Sequence, residues 1–194
     1  VLSHFDYEIP KKTGNSILQA INSLLRDDKL IEVFIDHNFT LSLPFDLKEY
    51  TDSTLEIFLQ LIQYDSGVFT SDVVDAFSTL IQRAPDKCLV IFGIYSQNCS
   101  DLDDRMNVFD LIIENAELYV NDEVLVYNYL SLLGFLCDNY TDFRKKRLPR
   151  CTKILMAVMD TDDVNELKQI YKSIKTFTSL SPPFNQISKH VKSK

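Results

Sequence analysis

The stretch Asn15-Ser-Ile-Leu-Gln-Ala-Ile-Asn-Ser-Leu-Leu-Arg-Asp-Asp28 returns 37 residues later as Asp52-Ser-Thr-Leu-Glu-Ile-Phe-Leu-Gln-Leu-Ile-Gln-Tyr-Asp65, with Ser, Leu, Leu and Asp in register. Both copies space their apolar residues by three and four, the pattern that lines one face of a helix. In the first copy these are Ile17, Leu18, Ile21, Leu24 and Leu25; in the second, Leu55, Phe58, Leu59, Leu61 and Ile62. A second echo lies further on, where Asp122-Glu-Val124 recurs 40 residues later as Asp162-Asp-Val164. Each acidic pair heads an apolar run, where carboxylates accept from first-turn amides and face the positive end of the helix dipole. Recurrence near 40 residues is the spacing of units of two or three helices, each of which must stack on a neighbour to cover its apolar face.

Working outward, the same periodicity predicts helices along most of the chain. Lys29 to Asp36 continues the first hairpin, and the polar and proline residues of Asn38 to Asp46 stop it. Asp52 or Ser53 is the expected cap of the next helix. Ser71 opens another, and Pro85 sits where a first-turn proline is tolerated. Asp101 or Asp103 should cap a helix running to about Tyr119. From Asn121 the apolar residues leave almost no polar face, which predicts a helix buried on all sides. Thr141 to Asp160 reads as a basic segment broken near Pro149, and Asp162 and Asp163 cap a last long helix reaching Phe177. The expected organisation is an N-terminal arm over 1–12, a helical-repeat domain over 13–181, and a basic tail or short last helix over 182–194.

Composition agrees. Only four glycines and six prolines occur in 194 residues, too few for the turns that a sandwich or barrel needs. Cys88, Cys99, Cys137 and Cys151 form no C-x-x-C pair, and three lie in apolar runs, so the expectation is buried thiols in a reducing compartment. The longest apolar stretch, Val124 to Cys137, falls short of the ~20 residues of a membrane span. No transmembrane segment and a cytoplasmic location are expected, with the nucleus left open. A chain opening on Val1 rather than Met reads as a piece of a longer protein.

The stretch Tyr129-Leu-Ser-Leu-Leu-Gly-Phe-Leu-Cys-Asp138, followed by a loop, the segment Leu148 to Asp160 and a fresh acidic cap at Asp162, resembles the third helix, turn and next unit of an armadillo repeat protein. The resemblance implies an all-α, right-handed superhelical stack of helical hairpins, armadillo- or HEAT-like, of about four to five units; the alternative is an irregular or bundled all-α domain. In nuclear-import armadillo proteins a tryptophan and an asparagine on the third helix clamp an extended peptide. The corresponding positions here are Ser131 and Phe135, then Lys172 and Thr176, and the chain has no tryptophan. The resemblance therefore implies a peptide-binding face without the import-cargo clamp.

Chemistry leaves no footprint. The glycines at 14, 67, 93 and 134 build no phosphate-cradling loop, and His4, His37 and His190 stand far apart in sequence. Asp101, Asp103 and Asp104 precede a helix, where capping is the better reading than a hard cation. No catalytic, metal or cofactor residue is assigned. Tyr127, Tyr129 and Tyr140 are expected to pack in the core with their hydroxyls reaching the surface.

Charge is the informative feature. Residues 1–143 hold 8 Lys and Arg against 24 Asp and Glu, whereas 144–194 hold 12 against 4, so a chain of net charge −8 is acidic first and basic last. The sharpest cluster is Arg144, Lys145, Lys146 and Arg147 with Arg150 and Lys153, followed by Lys168, Lys172 and Lys175. The reading is a non-catalytic scaffold that binds a protein or peptide through the concave face of the stack or through this basic end. Alternatives are an anion-recognition module for a phosphoprotein, nucleic acid or lipid headgroup, and a regulatory domain of a larger enzyme. Nucleic acid is disfavoured because the acidic remainder repels a polyanion. The opposed charges also allow head-to-tail self-association.

Overall fold

A computed structural model describes residues 10–99, 105–160 and 163–173. Among them every regular element is a helix and none is a strand. The chain divides into two compact units, Val1–Leu111 and Ile112–Lys194.

The first unit holds α1 (Lys11–Leu24), α2 (Asp28–Asp36), α3 (Thr51–Tyr64), α4 (Ser71–Arg83), α5 (Pro85–Asn98) and the beginning of α6 (Arg105–Glu114). Each boundary has a local cause. Asp27 caps α2 by accepting from the Lys29 amide at 3.0 Å. Asn38 stops it by adopting left-handed backbone, φ 54°, which asparagine tolerates far better than most residues. Pro85 pushes Ala84 out of helical geometry (φ −146°, ψ 65°), so α4 ends there and α5 begins at the proline.

Packing in this unit alternates along the sequence. α1 packs on α3 and α3 on α5, while α2 lies against α3 and α4 against α5. Rings supply much of the core: Phe69 sits 5.1 Å from Phe58, 4.9 Å from Phe77 and 5.4 Å from Tyr95, centroid to centroid. Polar bonds follow the same register. Asn22 donates to Glu56 and accepts from Gln60, Asn15 accepts from Ser53, Tyr64 donates to Glu32, and Lys87 pairs with Asp52. Arg83 closes the set by donating to the carbonyls of Phe45 and Asp46. These partners stand 32 to 38 residues apart, the interval at which the sequence repeats itself.

The second unit centres on α8 (Leu125–Asn139), which packs against α7 (Ala116–Val120), α9 (Thr141–Val158) and α10 (Val164–Ser173). Asp122 caps α8 through the amides of Val124 and Leu125, and Asp163 caps α10 through those of Asn165 and Glu166.

Several expectations are corrected. α3 starts at Thr51, so Asp52 and Ser53 lie inside its first turn instead of capping it. The expected single helix to Tyr119 is two, α6 and α7, separated at Asn115. α9 runs unbroken through Pro149. The ring cannot donate to the Lys145 carbonyl, but Lys145 and Pro149 lie on the exposed side of the helix, while Phe143, Cys151 and Leu155 hold the other side in the core. α8 is not buried all round: Asn128, Ser131 and Asp138 form an exposed stripe, in line with the exposed Val124 just before the helix. Tyr129 is fully buried and its hydroxyl donates to the Ile112 carbonyl at 3.2 Å instead of reaching water.

Candidate interaction surfaces

Eight of the ten residues singled out for partner binding have described side chains, all in the second unit. On α9 the buried line of Phe143, Cys151 and Leu155 fixes the helix rotation, which turns Lys145, Lys146, Arg150 and Lys153 to solvent. Arg144 and Arg147 stand at the edge of burial, half exposed. The cluster therefore splits into an outward cationic face and a flanking pair. Lys168 is exposed on α10, between the buried Leu167 and Ile170. Lys172 belongs to α10, and Lys175 lies outside the described residues, as do Asp101, Asp103, Asp104, Thr176, His4 and His190.

Ser131 and Phe135 share the solvent side of α8, as expected of residues four apart on a helix. Neither is poised as a clamp. The Ser131 hydroxyl donates to the carbonyl of Tyr127 within its own helix, and the half-buried Phe135 ring lies edge-on to Tyr140, 6.4 Å between centroids.

The thiols are sequestered. Cys88, Cys99, Cys137 and Cys151 are buried thiols. Burial pushes the Cys88 thiol up, and a hydrogen bond with Cys151, reinforced by burial, does the same for Cys137. Both remain protonated at neutral pH and are poor nucleophiles. His37 is exposed, stacks on Phe39 and uses Nδ1–H to bond the Val33 carbonyl at 2.9 Å. No group of three or more His, Cys, Asp or Glu that could hold a metal ion occurs among the described residues, and no helix among them is long and apolar enough to cross a membrane.

The surface that sequence reasoning missed lies in the first unit. Ile17, Ala20, Ile21 and Leu24 of α1, Leu30, Val33 and Phe34 of α2, and Phe39 beyond it line an open groove of about 590 Å³. Leu24 is 57% exposed, Val33 48%, Leu30 40% and Phe39 39%, so the groove is apolar and wet. The signal was present in α2, where Leu30, Ile31, Val33, Phe34 and Ile35 are too many apolar residues for one helix face to bury. Ile31 and Phe34 are buried, Phe34 as a wall of the groove, while Leu30 and Val33 are exposed.

Comparison with known proteins finds no family model, no curated protein and no solved structure that matches this chain.

Proposed function

We propose that the chain is a non-catalytic helical-repeat scaffold that holds a segment of another protein. The observation that carries this reading is the apolar groove on α1 and α2, which keeps Leu24, Leu30, Val33 and Phe39 in water. Covering such a surface is favourable by roughly 25 cal/mol per Å² of apolar area, and contiguous apolar patches on folded domains mark sites of association. The armadillo- or HEAT-like architecture belongs to the same reading. It is supported in the first unit by the alternation in which α1 meets α3 and α3 meets α5, with polar bonds recurring at 32 to 38 residues. A right-handed superhelix of four to five units, and a cytoplasmic site of action, complete the proposal.

The test is capture from lysate by the full chain beside a Leu24→Glu, Val33→Glu variant. The reading predicts a partner retained in near-stoichiometric amount by the natural chain and lost with the variant. A chain that retains nothing under any condition contradicts it.

A second reading is favoured by the outward face of α9. Lys145, Lys146, Arg150 and Lys153 gathered on one side of a helix would attract an acidic or phosphorylated ligand, more weakly as salt rises. Reversing Lys145, Lys146 and Arg150 to Glu should abolish retention on a phosphopeptide matrix, and unchanged retention refutes it.

A further inference from the structure

The groove on α1 and α2 has a counterpart inside the same unit. Shifted by the 37-residue repeat, Ile17, Ala20, Ile21 and Leu24 become Thr54, Ile57, Phe58 and Leu61 of α3. Those four side chains are completely buried. Around this side of α3, Phe58 meets Phe45, from the segment after α2, at 6.0 Å between ring centroids, and Phe69 and Phe77 at 5.1 and 5.3 Å, while α1 and α2 both pack on α3. The groove is thus the same face of the repeating unit, uncovered.

The covered copy also shows how a preceding helix lies beside that face. α1 meets α3 through Asn15 and Asn22, whose side-chain amides, seven residues apart, bond Ser53, Glu56 and Gln60; Leu18 and Leu25 continue the same stripe and are buried, Leu25 also bordering the groove. Shifted back by 37, those three partners become Ser16, Gln19 and Ser23, which lie exposed along the edge of the groove. Apolar floor and polar edge are both repeated.

We infer that the groove receives an amphipathic helix of a partner protein, laid on α1 in the register that α1 takes on α3. The partner helix carries leucine-like residues at the second and fourth positions of an Asn-x-x-Leu-x-x-x-Asn-x-x-Leu stripe, with amides that reach Ser16, Gln19 and Ser23. The inference rests on the scaffold reading and names the class of partner. A continuation of the 37-residue register into the partner accounts for a wide apolar groove with a hydroxyl and amide edge, which a flat hydrophobic patch would not have.

The probe is a hydrocarbon-stapled, fluorescein-labelled peptide of sequence Lys11 to Leu25, which bears that stripe, titrated against the full chain by fluorescence anisotropy. Saturable binding is expected, weakened at least about tenfold by Val33→Glu in the chain, equivalent to about 1.4 kcal/mol. Val124→Glu, at the exposed position just before α8, should change it less than about twofold, and both variants should keep the natural far-ultraviolet circular dichroism. A peptide carrying Leu18→Asp should not bind. Absence of saturable binding, or equal binding to the Val33→Glu chain, overturns the inference. So does a concentration-dependent dimer that Val33→Glu dissociates while the peptide fails to bind, because the occupant is then a second copy. A captured protein retained equally by the natural and Val33→Glu chains also overturns it, and leaves the scaffold reading standing on another surface.

Discussion

The Tyr64 hydroxyl donates to Glu32 Oε1 at 2.7 Å, joining α3 to α2 across 32 residues of sequence. The bond needs the phenol proton, and the negative charges of Glu32, Asp28 and Asp36 disfavour a phenolate beside them. The hydroxyl is accordingly pushed up to about 12 from its ordinary value near 10. Because the folded value is raised, this contribution to stability is fully present below pH 10 and is lost as pH rises toward 12. Difference absorbance between the natural chain and Tyr64→Phe should place the Tyr64 transition near pH 12, and Glu32→Gln should bring it down. A transition already at the ordinary value in the natural chain removes the α2–α3 bond from the account. Gly14 makes a second residue-scale prediction. A methyl placed there would lie 2.6 Å from Tyr50 Cζ, and Tyr50 is buried at the start of α3. Ala is otherwise the better helix former by about 1 kcal/mol, so two effects oppose each other. Overpacking against a buried ring typically costs ~1–3 kcal/mol, so Gly14→Ala should destabilise on balance in urea unfolding. This glycine looks like an interruption of a helical pattern in the sequence; only the long-range approach of Tyr50 explains it.

At the scale of elements, periodicity located the helices well where an apolar face meets a core, as at Leu18, Phe58 and Phe77, all buried. It failed where tertiary packing overruled a local rule. Pro149 is the clearest case: the buried side of α9 is held by Phe143, Cys151 and Leu155, and this outweighs the ~3 kcal/mol that proline costs inside a helix. Pro149→Ala should therefore stabilise the chain by about 1–3 kcal/mol, seen as a higher urea midpoint with an unchanged slope. No change, or a lower midpoint, would mean that α9 is not one continuous helix. The split between α6 and α7 at Asn115 gave no such signal, because apolar spacing runs on through Leu118 and Tyr119. α8 fell between: its apolar content marked a central helix, yet the turn-by-turn spacing of Asn128, Ser131 and Asp138 already traced the narrow solvent stripe. The cationic face of α9 was legible as composition, but its division into outward Lys145, Lys146 and Arg150 and half-buried Arg144 and Arg147 required the rotation that the core imposes.

For the molecule as a whole, the all-helical class follows from few glycines and prolines and from three- and four-residue spacing. The match between Asn15–Asp28 and Asp52–Asp65 reflects the packing of the first unit. Ser53, Glu56 and Gln60 of the second copy bond Asn15 and Asn22 of the first, so the sequence interval is also a contact interval. What the sequence could not show was that the first copy keeps its own equivalent face uncovered, because Ile17, Ile21 and Leu24 read as core residues until the helices that would bury them are located. The stacked arrangement of the first unit therefore depends on the register of α1 against α3. Paired cysteines test it most directly: Asn22→Cys with Gln60→Cys, compared with Asn22→Cys and Gln63→Cys, in a chain whose four natural thiols are buried. Under mild oxidation the first pair should form an intramolecular disulfide rapidly and nearly completely while the second, with Gln63 exposed away from the contact, should not. Equal rates for the two pairs, or no disulfide in the first, would contradict the stacked register and the repeat built upon it.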